Sequence, residues 1–288
     1  MSNTPSVAVT VNHLEISLSQ RGTNNVLVDD ISFTLARGET LGIVGESGSG
    51  KTLTSLALMG LLHPPLSVTK GEILLDGVNL AGLPEARLRT LRGNRIAMVF
   101  QEPMTSLNPV LTIGRQLVET LRAHKPVSQA QARDKAVALL ERVRIPDAAN
   151  KLASYPHEFS GGMRQRVMIA MAMMCDPHVL IADEPTTALD VTIQAEVLSL
   201  LRDIQQEFGT AIVFISHDLG VIGDVADRVM VMYRGRAVEA GSAADVLLKP
   251  QHDYTRALIG ARPKLVRGEQ ALALEERGPL IEVSSNAA

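Results

Sequence analysis

Short apolar runs without polar alternation recur along the chain. Such runs are typical of parallel strands whose sheet is covered by helices on both faces. Helix-length stretches separate several of them, and the clearest stretch, residues 193–207, carries its apolar residues at helical spacing. The pattern therefore predicts an α/β fold built on a mostly parallel sheet with helices on both faces. The five runs are residues 41–44, 96–100, 179–182, 211–215 and 229–232.

Two segments outside these runs predict additional β-structure. Residues 7–35 alternate weakly around a Gly-Thr-Asn-Asn turn and predict an antiparallel hairpin. Residues 71–77 predict a strand bounded by glycines. From about residue 250 the pattern loosens, and we expect a polar tail there.

Residues 103–159 differ from the rest, because helical periodicity is present and no strand is evident. The two helical stretches are residues 113–123 and 129–142, each following a turn that contains proline. This region predicts a helical insertion between two strands of the core.

A glycine-rich segment follows the first apolar strand and precedes a helix-compatible stretch. Its glycines let backbone N–H groups surround phosphate oxygens, Lys51 can reach the β- and γ-phosphates, and Thr52 can place its hydroxyl on Mg²⁺. The strand–loop–helix context favours a nucleotide site over a glycine-rich turn that binds nothing. The segment, which matches G-x-x-x-x-G-K-[ST], is Gly45, Glu46, Ser47, Gly48, Ser49, Gly50, Lys51 and Thr52.

Two adjacent acids, Asp183 and Glu184, end the apolar run at 179–182. Because adjacent side chains leaving a strand diverge, Asp183 can face Mg²⁺ while Glu184 faces the attacking water as a general base. The alternative is a pair of solvated acids at a strand end, which we consider the weaker interpretation because Pro185 follows directly.

Gln101 and His217 end two further apolar runs. Singly, each is more often an ordinary residue at a strand end. Both fall at carboxyl ends of predicted parallel strands, where ligands of such sheets bind. We therefore predict that Gln101 senses the metal and the attacking water, and that His217 contacts the γ-phosphate and aligns the water with its base.

Ser160, Gly161 and Gly162 precede another helical stretch. Serine is a strong N-cap and the glycines leave the first N–H groups accessible, so this is a second predicted anion-binding helix end. We interpret Arg164 and Arg166, which follow, as surface or interface residues rather than catalytic ones. One nucleotide carries one triphosphate, but the chain has two predicted phosphate sites. Either the chain folds so that both sites contact the same nucleotide, or two chains meet head to tail and each supplies one of the sites.

Composition excludes several other classes of protein. The formal net charge of −3, the absence of tryptophan and the small number of aromatic residues argue against bulk binding to nucleic acid. The single cysteine, Cys175, cannot form an internal disulfide and is expected to be a buried apolar side chain in a cytosolic protein. No apolar run approaches the roughly 20 residues of a spanning helix.

In their order along the chain, these motifs resemble those of the ATP-binding subunits of ABC transporters over about residues 7–260. Within that family the chain is similar to the peptide-importer branch, which includes dipeptide, oligopeptide, glutathione and nickel systems. The branch resemblance is carried by residues 103–109, 155–159 and 250–258. The family motifs are the phosphate loop, Gln101, residues 159–166, Asp183-Glu184, Ala188-Leu189-Asp190 and His217.

The resemblance implies a P-loop NTPase core with an antiparallel β subdomain and a helical signature subdomain. It implies one ATP-binding domain over residues 7–258, with the helical insertion at about 103–175, and a partly disordered tail at 259–288. Two such domains would sandwich ATP and Mg²⁺ between the phosphate loop of one and Ser160, Gly161 and Gly162 of the other.

For partners, the resemblance implies integral membrane permease subunits, a second ABC ATPase that is either identical or related, and, indirectly, an extracytoplasmic solute-binding protein. It places the chain peripherally on the cytoplasmic face of the inner membrane. Its expected activity is ATP hydrolysis that drives import of peptides or a related small solute. Gln101 and the helical insertion would form the surface on which the permease docks.

The chain departs from the family at Leu18, where an aromatic residue usually stacks on adenine, and Asp253 replaces a common proline. No cysteine follows residue 250, so the iron–sulfur cluster of some relatives is not expected. Two other functions stay open at this point: a soluble ABC-type ATPase acting on nucleic acid or ribosomes, and a regulator that senses ATP without hydrolysing it. The intact Glu184 argues against the second.

Overall fold

A six-stranded sheet forms the centre of the computed structural model, which describes residues 6–20, 22–100, 106–187 and 189–261. A second sheet of four strands lies beside it in the fold. The strands of the described residues are β1 (Val7–Gln20), β2 (Thr23–Ala36), β3 (Thr40–Val44), β4 (Leu66–Leu75), β5 (Val78–Asn79), β6 (Ile96–Val99), β7 (Val179–Asp183), β8 (Ala211–Ser216), β9 (Arg228–Tyr233) and β10 (Arg236–Ser242).

The central sheet has the order β10-β9-β3-β8-β7-β6. Its β6–β7, β7–β8, β8–β3 and β3–β9 pairs are all parallel, which confirms the five predicted parallel strands. The β10 strand is antiparallel to β9 and was not predicted, because this edge strand is partly exposed and mixes polar with apolar residues. Since the five parallel strands point the same way, the residues that follow β3, β7 and β8 meet at one edge.

The smaller sheet, β2-β1-β4-β5, is antiparallel and contains the predicted hairpin as β1 and β2. The prediction of a strand bounded by glycines at 71–77 was wrong in its limits, since β4 begins at Leu66 and runs through Gly71. Gly71 has φ +84°, and a Cβ there would lie 2.4 Å from the carbonyl oxygen of Asn12. The glycine thus lets two strands approach at an irregular pairing rather than ending one.

Helices cover the central sheet and form the predicted insertion between β6 and β7. In the insertion, α3 and α4 match the predicted helical stretches to within one residue, because their buried leucines recur at helical spacing. The helices are α1 (Lys51–Leu58), α2 (Glu85–Leu91), α3 (Ile113–His124), α4 (Gln129–Arg142), α5 (Ala148–Lys151), α6 (Gly161–Met173), α7 (Val191–Phe208), α8 (Leu219–Val225), α9 (Ala243–Leu248) and α10 (Asp253–Gly260).

The segment from about residue 250, where the sequence predicted the start of a polar tail, forms a helix instead. Helix α10 begins there and packs its partly buried Tyr254, Leu258 and Ile259 against the core cluster. The prediction failed because one face of this short helix is polar and its apolar face is narrow. Residues 262–288, which include most of the expected tail, lie outside the described part of the chain.

One composition-based expectation, the burial of the single cysteine, is confirmed in the core. Cys175 is buried, and this burial raises the pKa of its thiol, as expected for an inert apolar side chain. The methionines of α6 and its end are core residues, with Met168, Met173 and Met174 buried. Within the described ranges, no helix combines the length and apolar character needed to cross a membrane.

Candidate nucleotide-binding site

The glycine-rich segment forms a loop between β3 and α1 at the carboxyl edge of the sheet. Two glycines are required by its geometry. A Cβ on Gly45 would lie 2.2 Å from the carbonyl oxygen of Met232, and Gly50 caps α1 with φ +102°. The loop borders a cleft of about 730 Å³. The cleft is lined by residues 45–53 together with Glu184, Thr187, His217 and Leu258.

Lys51 is buried at the base of this loop, with 6% of its surface exposed. Its Nζ donates hydrogen bonds to the carbonyl oxygens of Gly45 at 2.7 Å and Glu46 at 2.8 Å. Burial lowers the pKa of Lys51, while the nearby carboxylates of Glu184 and Asp183 oppose that shift. A cation is therefore held inside a loop rich in backbone N–H groups, which is an environment suited to a phosphate anion.

Asp183 ends β7 and is only 5% exposed. Its Oδ2 accepts a hydrogen bond from the Ser55 hydroxyl at 3.3 Å, whereas its buried Oδ1 has no hydrogen-bond partner within the described residues. Burial raises the pKa of Asp183, and hydrogen bonds from the hydroxyls of Ser55 and Thr52 oppose the rise. A buried carboxylate oxygen without a partner beside a threonine hydroxyl suits a hard divalent cation such as Mg²⁺, which prefers oxygen ligands.

Glu184 follows directly and turns away from the strand with φ +48°. Its backbone N–H donates to the Ile215 carbonyl at 2.9 Å, so β7 remains tied to β8 at this point. Its Oε1 lies 3.1 Å from His217 Nδ1, and its Oε2 accepts a hydrogen bond from the Thr187 hydroxyl at 2.9 Å. Burial raises the pKa of Glu184, but the hydrogen bonds with His217 and Thr187 outweigh it and hold the pKa below its usual value.

The structure thus brings together most of the residues predicted for the site. The phosphate loop, Glu184 and His217 share the cleft, and the buried Asp183 interacts with Lys51 and Thr52. Gln101 lies outside the described residues, as does Ala188. Ser160, Gly161 and Gly162 are not among the residues that line the cleft.

Ser160, Gly161 and Gly162 instead lie at the N-terminus of α6, where Ser160 and Gly161 are exposed. The Ser160 hydroxyl accepts a hydrogen bond from the Met163 backbone N–H at 3.3 Å, which makes it the predicted N-cap. A Cβ on Gly162 would lie 2.5 Å from Ile193 Cγ2, whereas a Cβ on Gly161 would meet nothing within 4 Å. Gly162 is therefore needed for packing within the chain, and Gly161 leaves an open approach to the helix end.

The two arginines of this segment have intramolecular roles. Arg164 Nε donates to the carbonyl oxygens of Pro156 at 3.0 Å and Phe159 at 2.9 Å. Arg166 pairs with Glu196 of α7. Both side chains are partly buried, so they fasten the start of α6 to its surroundings rather than forming a free surface.

Sequence reasoning missed Thr187 and Leu258, which line the cleft, and Tyr254, which contacts the phosphate loop. Thr187 could have been noticed as a hydroxyl three residues beyond the acidic pair. Tyr254 and Leu258 belong to the stretch 250–258 that carries the branch resemblance, but the apolar pattern there is too weak to indicate a role at the cleft. Leu18, which stands where relatives usually carry an aromatic residue that stacks on adenine, is half-buried in β1 and is not among the residues lining the cleft.

Comparison with known proteins identifies close relatives. Residues 28–187 match the family model described as ABC transporter. The oligopeptide transport ATP-binding protein OppD of Salmonella typhimurium is 51% identical over 259 residues, which cover 90% of this chain and 77% of that protein. The glutathione import ATP-binding protein GsiA of Pectobacterium atrosepticum is 51% identical over 269 residues, covering 91% of this chain and 43% of that protein.

Solved structures of ATP-binding cassettes share the fold. The dimeric cassette MJ0796 in a post-hydrolysis state, bound to ADP and Pi, gives a TM-score of 0.72 at 25% identity and covers 82% of this chain and 98% of its own. The cassette cbiO1 of Clostridium perfringens, part of the complex cbiONQ, gives a TM-score of 0.73 at 26% identity and covers 85% of this chain and 92% of its own. The chain combines the phosphate loop, the carboxylates Asp183 and Glu184, and helix α6 with its Ser160 cap. Together with these relatives, these features show that this chain belongs to the ABC transporter family, as an ATP-binding subunit that couples ATP hydrolysis to transport.

Proposed function

We propose that this chain is the energy-coupling ATPase subunit of an importer for peptides or a related small solute. The observation that carries the ATPase assignment is the meeting of the phosphate loop, Glu184 and His217 in one cleft. The substrate class is supported by the relatives, whose names refer to oligopeptide transport and glutathione import.

In this proposal the loop binds the triphosphate through its backbone N–H groups, and Lys51 transfers its contacts from the loop carbonyls to the β- and γ-phosphates. Thr52 and Asp183, together with Gln101, would hold Mg²⁺. When bound, Mg²⁺ neutralises charge on the phosphate oxygens. The partnerless Oδ1 of Asp183 supports this assignment, because a buried anionic oxygen without a partner is costly.

Glu184 is the proposed general base. Because hydrogen bonds hold its pKa below the usual value, the carboxylate is ionised near neutral pH and can accept a proton from the attacking water. His217 lies 3.1 Å from it through Nδ1 and would orient both the base and the γ-phosphate. The Thr187 hydroxyl restrains the other carboxylate oxygen, so the base is positioned from two sides.

The second wall of the nucleotide site would come from another ATPase chain. Ser160, Gly161 and Gly162 are placed at a capped helix N-terminus with an open approach, which suits an anion presented by a partner. Pairing of two such chains is supported by the structural relative MJ0796, which is dimeric; the head-to-tail arrangement is part of our proposal. The partner is either a second copy or a related ATPase. Permease subunits, with a solute-binding protein acting on their far side, complete the proposed assembly at the cytoplasmic face of the inner membrane.

Glu184→Gln tests the proposed chemistry, because the amide keeps the shape of the side chain but cannot accept the proton. We expect ATP hydrolysis to fall at least about 100-fold while ATP binding is retained and a nucleotide-bound dimer accumulates. The measurements are steady-state phosphate release, equilibrium binding of ATP with Mg²⁺, and size-exclusion chromatography with and without ATP.

Lys51→Ala is the matched control, since it should weaken nucleotide binding itself. Parental hydrolysis by Glu184→Gln would refute the role of the base, and parental affinity in Lys51→Ala would refute the role of the ammonium. Absence of steady-state hydrolysis in the unmodified chain assembled with its permease would refute the ATPase function and favour a regulator that only senses ATP.

A further inference from the structure

The first turn of α10 contacts the phosphate loop from outside the nucleotide cleft. The Tyr254 hydroxyl oxygen accepts a hydrogen bond from the backbone N–H of Glu46 at 3.1 Å. The Tyr254 ring packs on that of Tyr233, at the end of β9, with 4.2 Å between ring centroids. Leu258, one helical turn further along, lines the cleft itself. Helix α10 therefore supplies both a wall of the cleft and a contact to the loop.

Strand β10 supports the contact between Tyr254 and Glu46 through Glu239. The Glu239 carboxylate accepts hydrogen bonds from the backbone N–H groups of Gln251 at 2.7 Å and His252 at 3.1 Å, just before α10 begins. His252 then caps the helix by accepting from the Tyr254 backbone N–H at 3.1 Å. Since both β10 and β9 belong to the central sheet, the Tyr254 ring is fixed relative to the sheet on which the loop is built.

Lys51 anchors the carbonyl oxygens of Gly45 and Glu46, but the glycines of the loop have no side chains that could orient its N–H groups. The Tyr254 hydroxyl adds support at the N–H of Glu46. Glu46 itself is exposed, and its N–H lies in the first turn after β3. A loop that binds anions through aligned N–H groups loses affinity when those groups are free to reorient, since the reordering then costs entropy on binding.

We propose that Tyr254 is a positioning residue for ATP, which orients the start of the phosphate loop through its hydroxyl. The proposal rests on the nucleotide-binding function proposed above. Tyr254 touches the loop rather than any reacting atom, so it acts on affinity and leaves the chemical step unchanged. Its ring, which packs at a tilt of 33° against that of Tyr233, serves to place the hydroxyl.

Tyr254→Phe isolates the hydroxyl, because the ring and its packing on Tyr233 are kept. Loss of one hydrogen bond of ordinary net strength should weaken binding of a ribose-labelled fluorescent ATP analogue to the full chain with Mg²⁺ by about three- to tenfold. In steady-state hydrolysis we expect KM for ATP to rise by a similar factor with kcat within about twofold. The Glu46 N–H is exposed to water once freed, so the thermal midpoint should stay within about 1 °C.

Hydrogen exchange provides an independent test of whether the Tyr254 hydroxyl orders the phosphate loop. Amide exchange should become faster in the peptide that contains residues 45–50 and remain unchanged in the central strands. Tyr155→Phe, which loses the same hydroxyl outside the cleft, is the matched control and should bind and hydrolyse like the parent.

Three results would overturn the proposal. Parental affinity and loop exchange in Tyr254→Phe would show that the hydroxyl does not orient the loop. A fall in thermal midpoint and kcat at unchanged KM would assign Tyr254 a purely structural role. Failure of the unmodified chain to bind the analogue would refute the nucleotide site itself, an outcome distinguished from the first two because the parent also fails.

Discussion

Gly161 and Gly162 are adjacent glycines at the N-terminus of α6, but they have different roles. Gly162 is needed inside the chain, because a Cβ there would lie 2.5 Å from Ile193 Cγ2. Gly161 has no such requirement, since its Cβ position is open and its φ is not in the left-handed region. Any sensitivity of Gly161 to substitution must therefore come from a molecule outside the chain.

Gly161→Ala is predicted to leave the thermal midpoint unchanged or slightly raised, because alanine is the better helix former. ATP hydrolysis should nevertheless fall at least about tenfold, since the added methyl obstructs the γ-phosphate presented by a partner chain. Gly162→Ala should lower stability by about 1–3 kcal/mol through the clash with Ile193. Differential scanning calorimetry and phosphate release check both variants. A Gly161→Ala protein with parental turnover would contradict the sandwiched site.

At the scale of elements, α4 and α6 begin with the same capping geometry. Ser128 accepts from the Gln131 N–H at 3.2 Å, and Ser160 accepts from the Met163 N–H at 3.3 Å. Both serines have extended backbones, with φ and ψ of −68° and 160° at Ser128 and −64° and 165° at Ser160. Their structural contributions should therefore be similar, although only one of the helix ends is assigned to ATP.

Ser128→Ala and Ser160→Ala are each predicted to cost about 1 kcal/mol of unfolding free energy, the usual cost of losing a serine cap. Denaturant titration measures this cost. Only Ser160→Ala should also reduce ATP-dependent dimerisation, which is best scored in the Glu184→Gln background by size-exclusion chromatography. Equal dimerisation by the two variants would argue against a role for the α6 cap at the nucleotide.

Much of the fold could be predicted at the scale of elements, because a strand that is buried on both faces of a sheet appears in the sequence as a continuous apolar run. Strands β3 and β7 are wholly buried, and both appear in the sequence as apolar runs. Edge strand β10 and helix α10 are partly solvated, so their apolar positions are too few to predict the elements.

The residues of the candidate site were likewise predictable where they lie at the ends of buried strands. Asp183 ends strand β7, Glu184 follows it and His217 follows β8, and parallel neighbours end at the same edge of a sheet. The contact between Tyr254 and Glu46 could not be predicted, because nothing local to either residue specifies a partner 208 positions away. The orphaned oxygen of Asp183 likewise depends on burial by surrounding elements and is visible only in the structure.

For the whole molecule, the described chain carries two helix N-termini proposed to bind phosphate, and they do not share a cleft. The α1 end belongs to the cleft with Glu184, and the α6 end opens elsewhere. In the proposed function each complete nucleotide site requires two chains, so ATP hydrolysis is expected to be a property of the pair.

Hydrolysis per chain is therefore predicted to depend on protein concentration when the chain is assayed without its permease. Well below the dissociation constant of the pair, a tenfold dilution should lower turnover per chain by about tenfold, by mass action. Phosphate release over a dilution series, with the molar mass followed by light scattering, measures the dependence. A strictly monomeric sample with undiminished turnover would rule out shared sites.

The contact between Tyr254 and Glu46 also bears on how the protein is made. It joins residues 208 positions apart, so it forms only after nearly all of the domain has left the ribosome. The glycine loop, although synthesised early, reaches its final shape among the last parts of the domain. With Tyr254 in its proposed positioning role, a nascent polypeptide that still lacks α10 is expected to bind ATP less firmly than the finished chain, which would delay nucleotide capture until translation is nearly complete.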